Sequence, residues 1–163
     1  MAKKDKSEKK DKSRKKEELA EALGELLPAM VQANRAMRTR LSRNLQDSGL
    51  YAGQDGVIQA LAEEDGLTPG ALAAKLGVKA PTMTRTIGRL EVQGFVDRRS
   101  DAGDARLTKV HLTDTGRATL AKIELAAGEC SQQAIEGMSG KEVRTLVRLL
   151  RLATGNLQAV QEV

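Results

Sequence analysis

The 163-residue sequence predicts a mostly helical fold with one small β-hairpin. Apolar residues recur at three- and four-residue steps through much of the chain, which is the period of an amphipathic helix. The chain has one tyrosine, one phenylalanine and no tryptophan, so an aliphatic core has to form mainly by helix packing. Only residues 95–112 show strand-like alternation, around a loop rich in Gly and Asp, which is typical of a hairpin.

The net charge of +5 is concentrated in two basic segments. Residues 1–18 hold nine Lys/Arg and five Asp/Glu, and residues 68–111 hold eight Lys/Arg and four Asp/Glu, so each segment carries +4. A localised basic patch is typical of nucleic-acid binding. The first 16 residues contain no long apolar residue to bury after the initial Met, which predicts a disordered Lys-rich tail. Two roles stay open for it: a solubilising arm, and a sequence-independent tether to phosphates.

A long helix is predicted over residues 17–50, followed by a shorter one from Gln54 to Glu64. Pro28 lies inside the first helix, so we expect a kink or a fresh start there. The apolar stripe of the first helix consists of Leu19, Leu23, Leu26, Met30, Met37, Leu41 and Leu45.

Two short helices joined by a tight turn are predicted over residues 67–94. Thr68 followed by Pro69 is a favourable helix start, because the hydroxyl caps the first turn and proline is preset for it. Pro81 opens the second helix, which runs to about Gln93. Two helices connected in this way form a helix-turn-helix.

The second of these helices separates into an apolar face and a polar face. The polar face carries hydroxyls and guanidiniums without an acid, whereas solvated charged faces usually mix both signs. Thr reaches bases or phosphates and Arg binds guanine edges, so this face suits a major groove. The residues expected to bind DNA here are Lys79, Pro81, Thr82, Thr84, Arg85 and Arg89.

The hairpin after the helix-turn-helix is interpreted as a wing with a charged tip. An Arg at such a tip can enter the minor groove or bind phosphate, while a nearby carboxylate orients it. We assign Arg106 to the groove and Asp104 to the orienting role, with Arg98 and Arg99 as further wing contacts. The alternative is a surface salt bridge of little energetic value.

The run from Leu67 to Gly116 resembles the winged helix-turn-helix of the MarR family of bacterial transcription regulators. Ala80 departs from the family pattern, which commonly has a capping Ser or Thr there, and Ala105 stands where the family often has another Arg. The matching segments are LTPGALAAKLGV, APTMTRTIGRLEVQGFVDRR and the wing pattern of Asp104, Arg106, Val110, Leu112 and Thr113. The resemblance divides the chain into a tail (1–16), an N-terminal dimerisation helix (17–50), the winged domain (51–116) and C-terminal dimerisation helices (117–163).

The C-terminal region is predicted to supply two helices for a dimer. Thr113 caps a helix from Asp114 to about Gly137, and Ser139 with Glu142 forms a capping box for the last helix. The resemblance implies a homodimer that packs first and last helices together and reads a pseudo-palindromic double-stranded operator. The single Cys, which allows no intrachain disulfide, favours a cytoplasmic setting. The apolar stripe of the last helix consists of Val143, Leu146, Val147, Leu150, Leu157 and Val160.

The resemblance also implies a small, often phenolic or anionic effector, bound in a crevice between the dimer helices and the DNA-binding lobe. Arg38, Arg40 and Tyr51 are the residues we assign to that crevice. Cys130 is expected to be a buried, inert thiol, because the peroxide-responsive branch of the family places its cysteine in the first helix.

The function expected from these features is a sequence-specific regulator, a repressor relieved by an effector. The alternative is a constitutive or architectural DNA-binding protein that relies on the basic tail. An enzyme is not expected, since one His and one Cys supply neither a catalytic constellation nor a zinc site. We expect no cofactor, no metal and no membrane-spanning segment.

Overall fold

The computed structural model describes residues 2–101 and 103–159, with side chains described from residue 13 onward. Val160, which the sequence places on the last apolar stripe, lies outside the described residues. In the described part of the chain, the elements are α1 (Ala2–Asn44), a 3-10 turn (Gln46–Ser48), α2 (Gln54–Glu63), α3 (Pro69–Lys75), α4 (Ala80–Val92), β1 (Val96–Ser100), β2 (Thr108–Leu112), α5 (Asp114–Ala118), α6 (Leu120–Ala134) and α7 (Gly140–Ala159).

Helix α1 is longer than the sequence predicts. Its backbone is helical from Ala2, where composition predicts a disordered tail, and it runs through Pro28 without ending. Lys, Glu and Ala are good helix formers, and the ion pair of Arg14 with Glu18, one turn apart at 3.3 Å, supports the helix near its start. At Pro28 the helix loses one backbone donor, but its neighbours keep helical geometry.

The hydrophobic core lies where α2, α3, α4 and the sheet meet, and it extends to the end of α1 and the start of α6. Its side chains are almost entirely aliphatic, as the composition predicts. The fully buried members include Leu45, Ile58, Leu61, Leu72, Ile87, Leu90, Val110 and Ile123.

The predicted helix caps are confirmed at three positions. The Thr68 hydroxyl accepts the Ala71 N–H at 3.2 Å, and the Thr113 hydroxyl accepts the Gly116 N–H at 3.0 Å. In the capping box, the Glu142 carboxylate accepts the Ser139 N–H at 2.8 Å. The hydrogen bond from the Ser139 hydroxyl, followed by that from its N–H, lowers the pKa of Glu142.

The helix predicted from Asp114 to about Gly137 is divided at Thr119. This residue is buried, and its hydroxyl donates to the Gly116 carbonyl at 2.7 Å. The Thr119 hydroxyl thus satisfies a backbone carbonyl near the end of α5, and α6 starts at Leu120.

The two strands form an antiparallel wing in which Val96 faces Leu112 and Ser100 faces Thr108. Val96, Val110 and Leu112 are buried on the inner face. Leu67 adds one antiparallel bridge to Val110, which attaches the wing to the segment before α3.

Two apolar stripes stay exposed in the single chain. Leu19 and Leu23 on α1 are each 60% exposed, and Leu157 on α7 is 66% exposed. Cys130 of α6 is buried, as predicted, with its thiol 3.7 Å from the Met37 carbonyl of α1. Across the described residues, no helix combines the length and apolarity that crossing a membrane requires.

Gly116→Ala is predicted to destabilise the protein strongly, since the new Cβ would lie 2.1 Å from the Phe95 carbonyl oxygen. Overpacking of this kind costs about 1–3 kcal/mol or more. Gly128→Ala, in α6 with no heavy atom within 4 Å of the added Cβ, is the control and should stabilise by about 1 kcal/mol. Urea unfolding measures both. An equal unfolding free energy for the two variants would contradict the prediction.

Candidate nucleic-acid interface

The orientation of α4 is set by its buried side. Met83, Ile87 and Leu90 are at most 2% exposed and anchor the helix in the core. Burying these three residues turns the opposite side outward, so Arg85 and Arg89 lie exposed one helical turn apart.

The N-terminal end of α4 is open and carries no acid. Lys79 occupies the cap position in extended conformation, without a side-chain cap, and Pro81 lies in the first turn. Lys79, Pro81 and Thr82 are all exposed. A helix N-terminus is the positive end of the helix dipole, so this end favours a phosphate group.

The threonines on α4 donate to their own helix. The hydroxyl of Thr84 donates to Ala80, and that of Thr86 donates to Thr82, each at 3.0 Å. These bonds fix the hydroxyl hydrogens, while the oxygen lone pairs can still accept from a base amino group.

The wing loop is organised by Asp101, a residue that the sequence did not single out. One carboxylate oxygen accepts the backbone N–H groups of Gly103 and Asp104, at 2.9 and 3.0 Å. The other oxygen pairs with Lys109 across the hairpin. Lys109, followed by the two amides, lowers the pKa of Asp101 to about 2.

Asp104 acts on the backbone of the wing tip. Its carboxylate accepts the Arg106 N–H at 3.0 Å, and its own carbonyl accepts the Leu107 N–H at 2.9 Å. The predicted orienting role was a contact with the guanidinium of Arg106. The contact present here fixes the backbone at Arg106, and the side chain extends from an exposed position.

Arg98 and Arg99 both pair within the protein. The Nε atom of Arg98 lies 3.2 Å from the Glu91 carboxylate and joins the wing to α4. Arg99 pairs with Asp97 at 2.8 Å, and this hydrogen bond raises the pKa of Arg99. Either guanidinium therefore has to exchange or share a carboxylate partner in order to contact DNA.

The base of the wing is held by Asp65, in the turn after α2. Its carboxylate accepts the Leu112 N–H at 2.9 Å and pairs with His111 at 3.0 Å and Arg117 at 3.3 Å. Partial burial raises the pKa of Asp65, but the Leu112 and His111 hydrogen bonds and the electrostatic effects of His111 and Arg117 lower it more, and the net shift is downward. Gly66 is needed beside it, because a Cβ there would lie 2.9 Å from the His111 ring.

A crevice of about 580 Å³ lies between α1, the segment before α2, and α4. It brings together Arg38 and Tyr51 with Arg85 and Arg89 of α4. Arg40 is exposed on α1 and is not among the lining residues. The crevice thus contains three guanidiniums and an aromatic ring.

The sequence pattern did not single out Asp101, Asp65 or Gln54 as site residues. The Asp-x-Gly spacing of residues 101–103 is a signal for a carboxylate that accepts amides of its own turn, so Asp101 was detectable. Asp65 and Gln54 act on residues more than 35 positions away, and no local pattern marks such contacts.

The helix-turn-helix and the wing are similar to those of known proteins. The MarR family model matches residues 54–107, which include α2, the helix-turn-helix and the wing loop. A probable transcriptional regulator from Pseudomonas aeruginosa is similar in structure, with 28% identity and a TM-score of 0.73 over 83% of this chain and 98% of that one.

Two further solved structures belong to proteins whose DNA binding has been described. A mutant MarR from E. coli complexed with operator DNA shares 26% identity, with a TM-score of 0.73 over 78% of this chain and 92% of that one. BpsR from Bordetella bronchiseptica, whose DNA binding is regulated by 6-hydroxynicotinic acid, shares 25% identity, with a TM-score of 0.71 over 80% and 91% of the two chains.

Asp101→Ala is predicted to loosen the wing loop without unfolding the protein, because it removes the acceptor of two backbone amides. We expect faster amide hydrogen exchange at Gly103 and Asp104 by NMR, with cooperative unfolding of the protein preserved and its urea midpoint little changed. Asp101→Asn keeps a side-chain carbonyl acceptor and should show a smaller effect. Because the pKa of Asp101 is lowered to about 2 from 3.8, its contribution is complete above the ordinary value and disappears as the pH falls through about 2. Unchanged exchange rates in Asp101→Ala would contradict the assigned role.

Proposed function

We propose that this chain acts as a MarR-family transcriptional regulator, a homodimeric repressor that reads a pseudo-palindromic operator and is released by a small anionic effector. The observation that carries the proposal is the exposed, acid-free side of α4 beside an ordered wing. The same surface also forms a wall of the crevice.

In the proposed complex, α4 enters the major groove. Arg85 and Arg89 are positioned to bind guanine edges, while Thr82 and Thr84 contact bases or phosphates. Lys79 and the N-terminal end of the helix contact the phosphate backbone, which fixes the position of the protein without reading sequence. The wing places Arg106 at the adjacent minor groove or phosphate, on a backbone fixed by Asp101 and Asp104.

The exposed stripes on α1 and α7 support a homodimer. Their leucines are largely exposed in the single chain, and burying apolar side chains is the main driving force of association. Charges beside the stripes are complementary, since Glu21 and Glu25 on α1 match a row of arginines on α7. That row consists of Arg144, Arg148 and Arg151. Packing α7 of one copy on α1 of the other would cover both stripes and pair these charges.

The crevice suits a small aromatic acid. Arg38 supplies a guanidinium for a carboxylate, and Tyr51 supplies a ring face. Arg85 and Arg89 line the crevice and also belong to the proposed DNA-binding side. An anion in the crevice would draw these guanidiniums away from DNA, so effector and operator would compete for the same charges.

A constitutive DNA-binding protein is the second candidate, favoured by the nine Lys/Arg in residues 1–18. Binding through these residues would depend on phosphate charge alone. The two candidates therefore differ in the salt dependence of sequence preference.

Operator preference is predicted to survive physiological salt. After selection of a preferred duplex from random DNA, anisotropy titration should show binding at least about a thousandfold tighter than to a scrambled duplex, with two chains per duplex. Arg89→Ala should reduce this preference by about 10- to 100-fold, since a guanine contact contributes about 1–3 kcal/mol of discrimination. Lys122→Ala, an exposed cation on α6, is the matched control. Equal, salt-sensitive binding to both duplexes would instead support the constitutive candidate.

Arg38→Ala is predicted to weaken the response to an aromatic acid, because the crevice loses its guanidinium on α1. With 6-hydroxynicotinate as the probe, the concentration that half-releases operator DNA should rise by about tenfold or more. Arg40→Ala removes the same charge two residues away, outside the crevice lining, and should leave that concentration unchanged. Equal effects of the two substitutions, or no release of operator in the unaltered protein, would count against this use of the crevice.

A further inference from the structure

Gln54 is a buried polar side chain that the proposed function does not yet use. It is 6% exposed at the start of α2, and both ends of its amide are hydrogen-bonded. The side-chain oxygen accepts the Tyr51 N–H at 3.0 Å, and the Gln54 N–H donates to the Tyr51 carbonyl at 2.9 Å. Tyr51 and Gln54 are thereby joined through two hydrogen bonds.

The other end of the Gln54 amide is bonded to the end of α4. Its nitrogen donates to the Gln93 side-chain oxygen at 2.8 Å, and the Gln93 side-chain nitrogen donates to the Gly49 carbonyl at 2.8 Å. Gln93 is also the residue that ends α4, with its N–H bonded to the Arg89 carbonyl at 3.0 Å. Two side-chain amides therefore link the segment before α2 to the last turn of α4.

This link lies between two cavities. Tyr51, Gln54, Arg85 and Arg89 line the crevice, and the same four residues line an adjacent groove of about 560 Å³, which Gln93 also lines. A displacement of Tyr51 would act on Gln54, and Gln54 is bonded directly to the residue that ends α4. The contacts run without interruption from the crevice wall to the DNA-binding helix.

We propose that Gln54 and Gln93 are positioning residues that couple the shape of the crevice to the orientation of α4. The inference rests on the proposed function, because it describes how that site is regulated. The amides fix the C-terminal end of α4, so its N-terminal end and arginines enter DNA at a defined angle. A change at Tyr51 then alters that angle through the two amides.

Glutamine amides suit this coupling because the interior penalises a broken bond. If Tyr51 moves, the buried Gln54 either follows it or leaves a buried polar group without a partner. The Gln54 side chain is therefore expected to move with Tyr51. The Gln93 side chain, to which it is hydrogen-bonded, would then move as well. An apolar contact at this position would slide without such a penalty, so it would transmit less of the displacement.

Gln93→Met is the first variant for the test, because Gln93 is exposed and Met has a similar length. We expect about tenfold weaker binding to the selected operator, with unchanged affinity for scrambled DNA and a modestly lower melting temperature, because the buried Gln54 amide loses its acceptor. Gln132→Met, an exposed glutamine on α6, is the control and should match the unaltered protein. In the double variant with Gln54→Met, the losses should not add, because both residues serve one link.

An operator affinity of Gln93→Met equal to that of the control would overturn the proposal. Additive losses in the double variant would do so too, since independent contacts add. If Gln54→Met does not fold, Gln93→Met alone still decides between these outcomes.

The second test uses Tyr51 as an intrinsic probe of the crevice, since the chain has one tyrosine and no tryptophan. Acrylamide quenching of its fluorescence should change when the full-length protein binds operator, and this change should be lost in Gln93→Met. A change of the same size in both proteins would mean that DNA itself shields Tyr51, and no change in either would mean that the crevice does not respond to DNA. Both results would overturn the coupling.

Failure of the coupling is distinguishable from failure of the proposed function. If the unaltered protein shows no operator preference, the proposed function fails. If it prefers the operator and Gln93→Met behaves identically, only the coupling fails.

Discussion

The rotation of α4 about its own axis is the constraint on which the rest of the interface depends. Three buried side chains, Met83, Ile87 and Leu90, fix it against the core. With these positions buried, Arg85 and Arg89 must face outward, and Gly88 lies beside Arg98 of the wing. Any rotation that hid Arg85 or Arg89 would expose core side chains, at a cost of about 1.5–3 kcal/mol for each large one.

The wing is then placed by contacts at its base and along its first strand. At the base, Asp65 accepts the Leu112 amide, and Leu67 bridges to Val110. Along the first strand, Arg98 reaches back to Glu91 at the end of α4. The tip is ordered mainly by its own residues, through Asp101 and Asp104. The helix and the wing thus form one connected surface whose tip is ordered by short-range hydrogen bonds.

The crevice and the proposed DNA-binding side of α4 share Arg85 and Arg89. An α-helix is narrow enough for these two side chains to line the crevice and also to reach the outer surface. In the proposed function, this sharing would let the effector and the operator influence each other without a long path between their sites. The amides of Gln54 and Gln93 add a second connection, from the crevice wall to the end of the helix. In the proposed function, competition for the two arginines and a changed orientation of α4 would both weaken operator binding.

The sequence alone determined the features that depend on neighbours within about four residues. Helical periodicity identified the inner and outer faces of α4, and the caps at Thr68, Thr113 and Ser139 follow from single hydroxyls next to helix starts. The same local reasoning located the hairpin. The disordered tail predicted over residues 1–16 was also inferred from local composition. The charged composition suggested disorder, whereas the same Lys and Glu residues are good helix formers and the backbone is helical from Ala2.

Only the tertiary structure decided which distant residues meet. It brought Arg38 and Tyr51 together with α4 and left Arg40 outside the crevice, although the sequence grouped all three. It also paired Arg98 with Glu91 and joined Gln54 to Gln93. Such contacts depend on how helices cross and on which side chains the core buries, and the packing of the whole chain fixes these together.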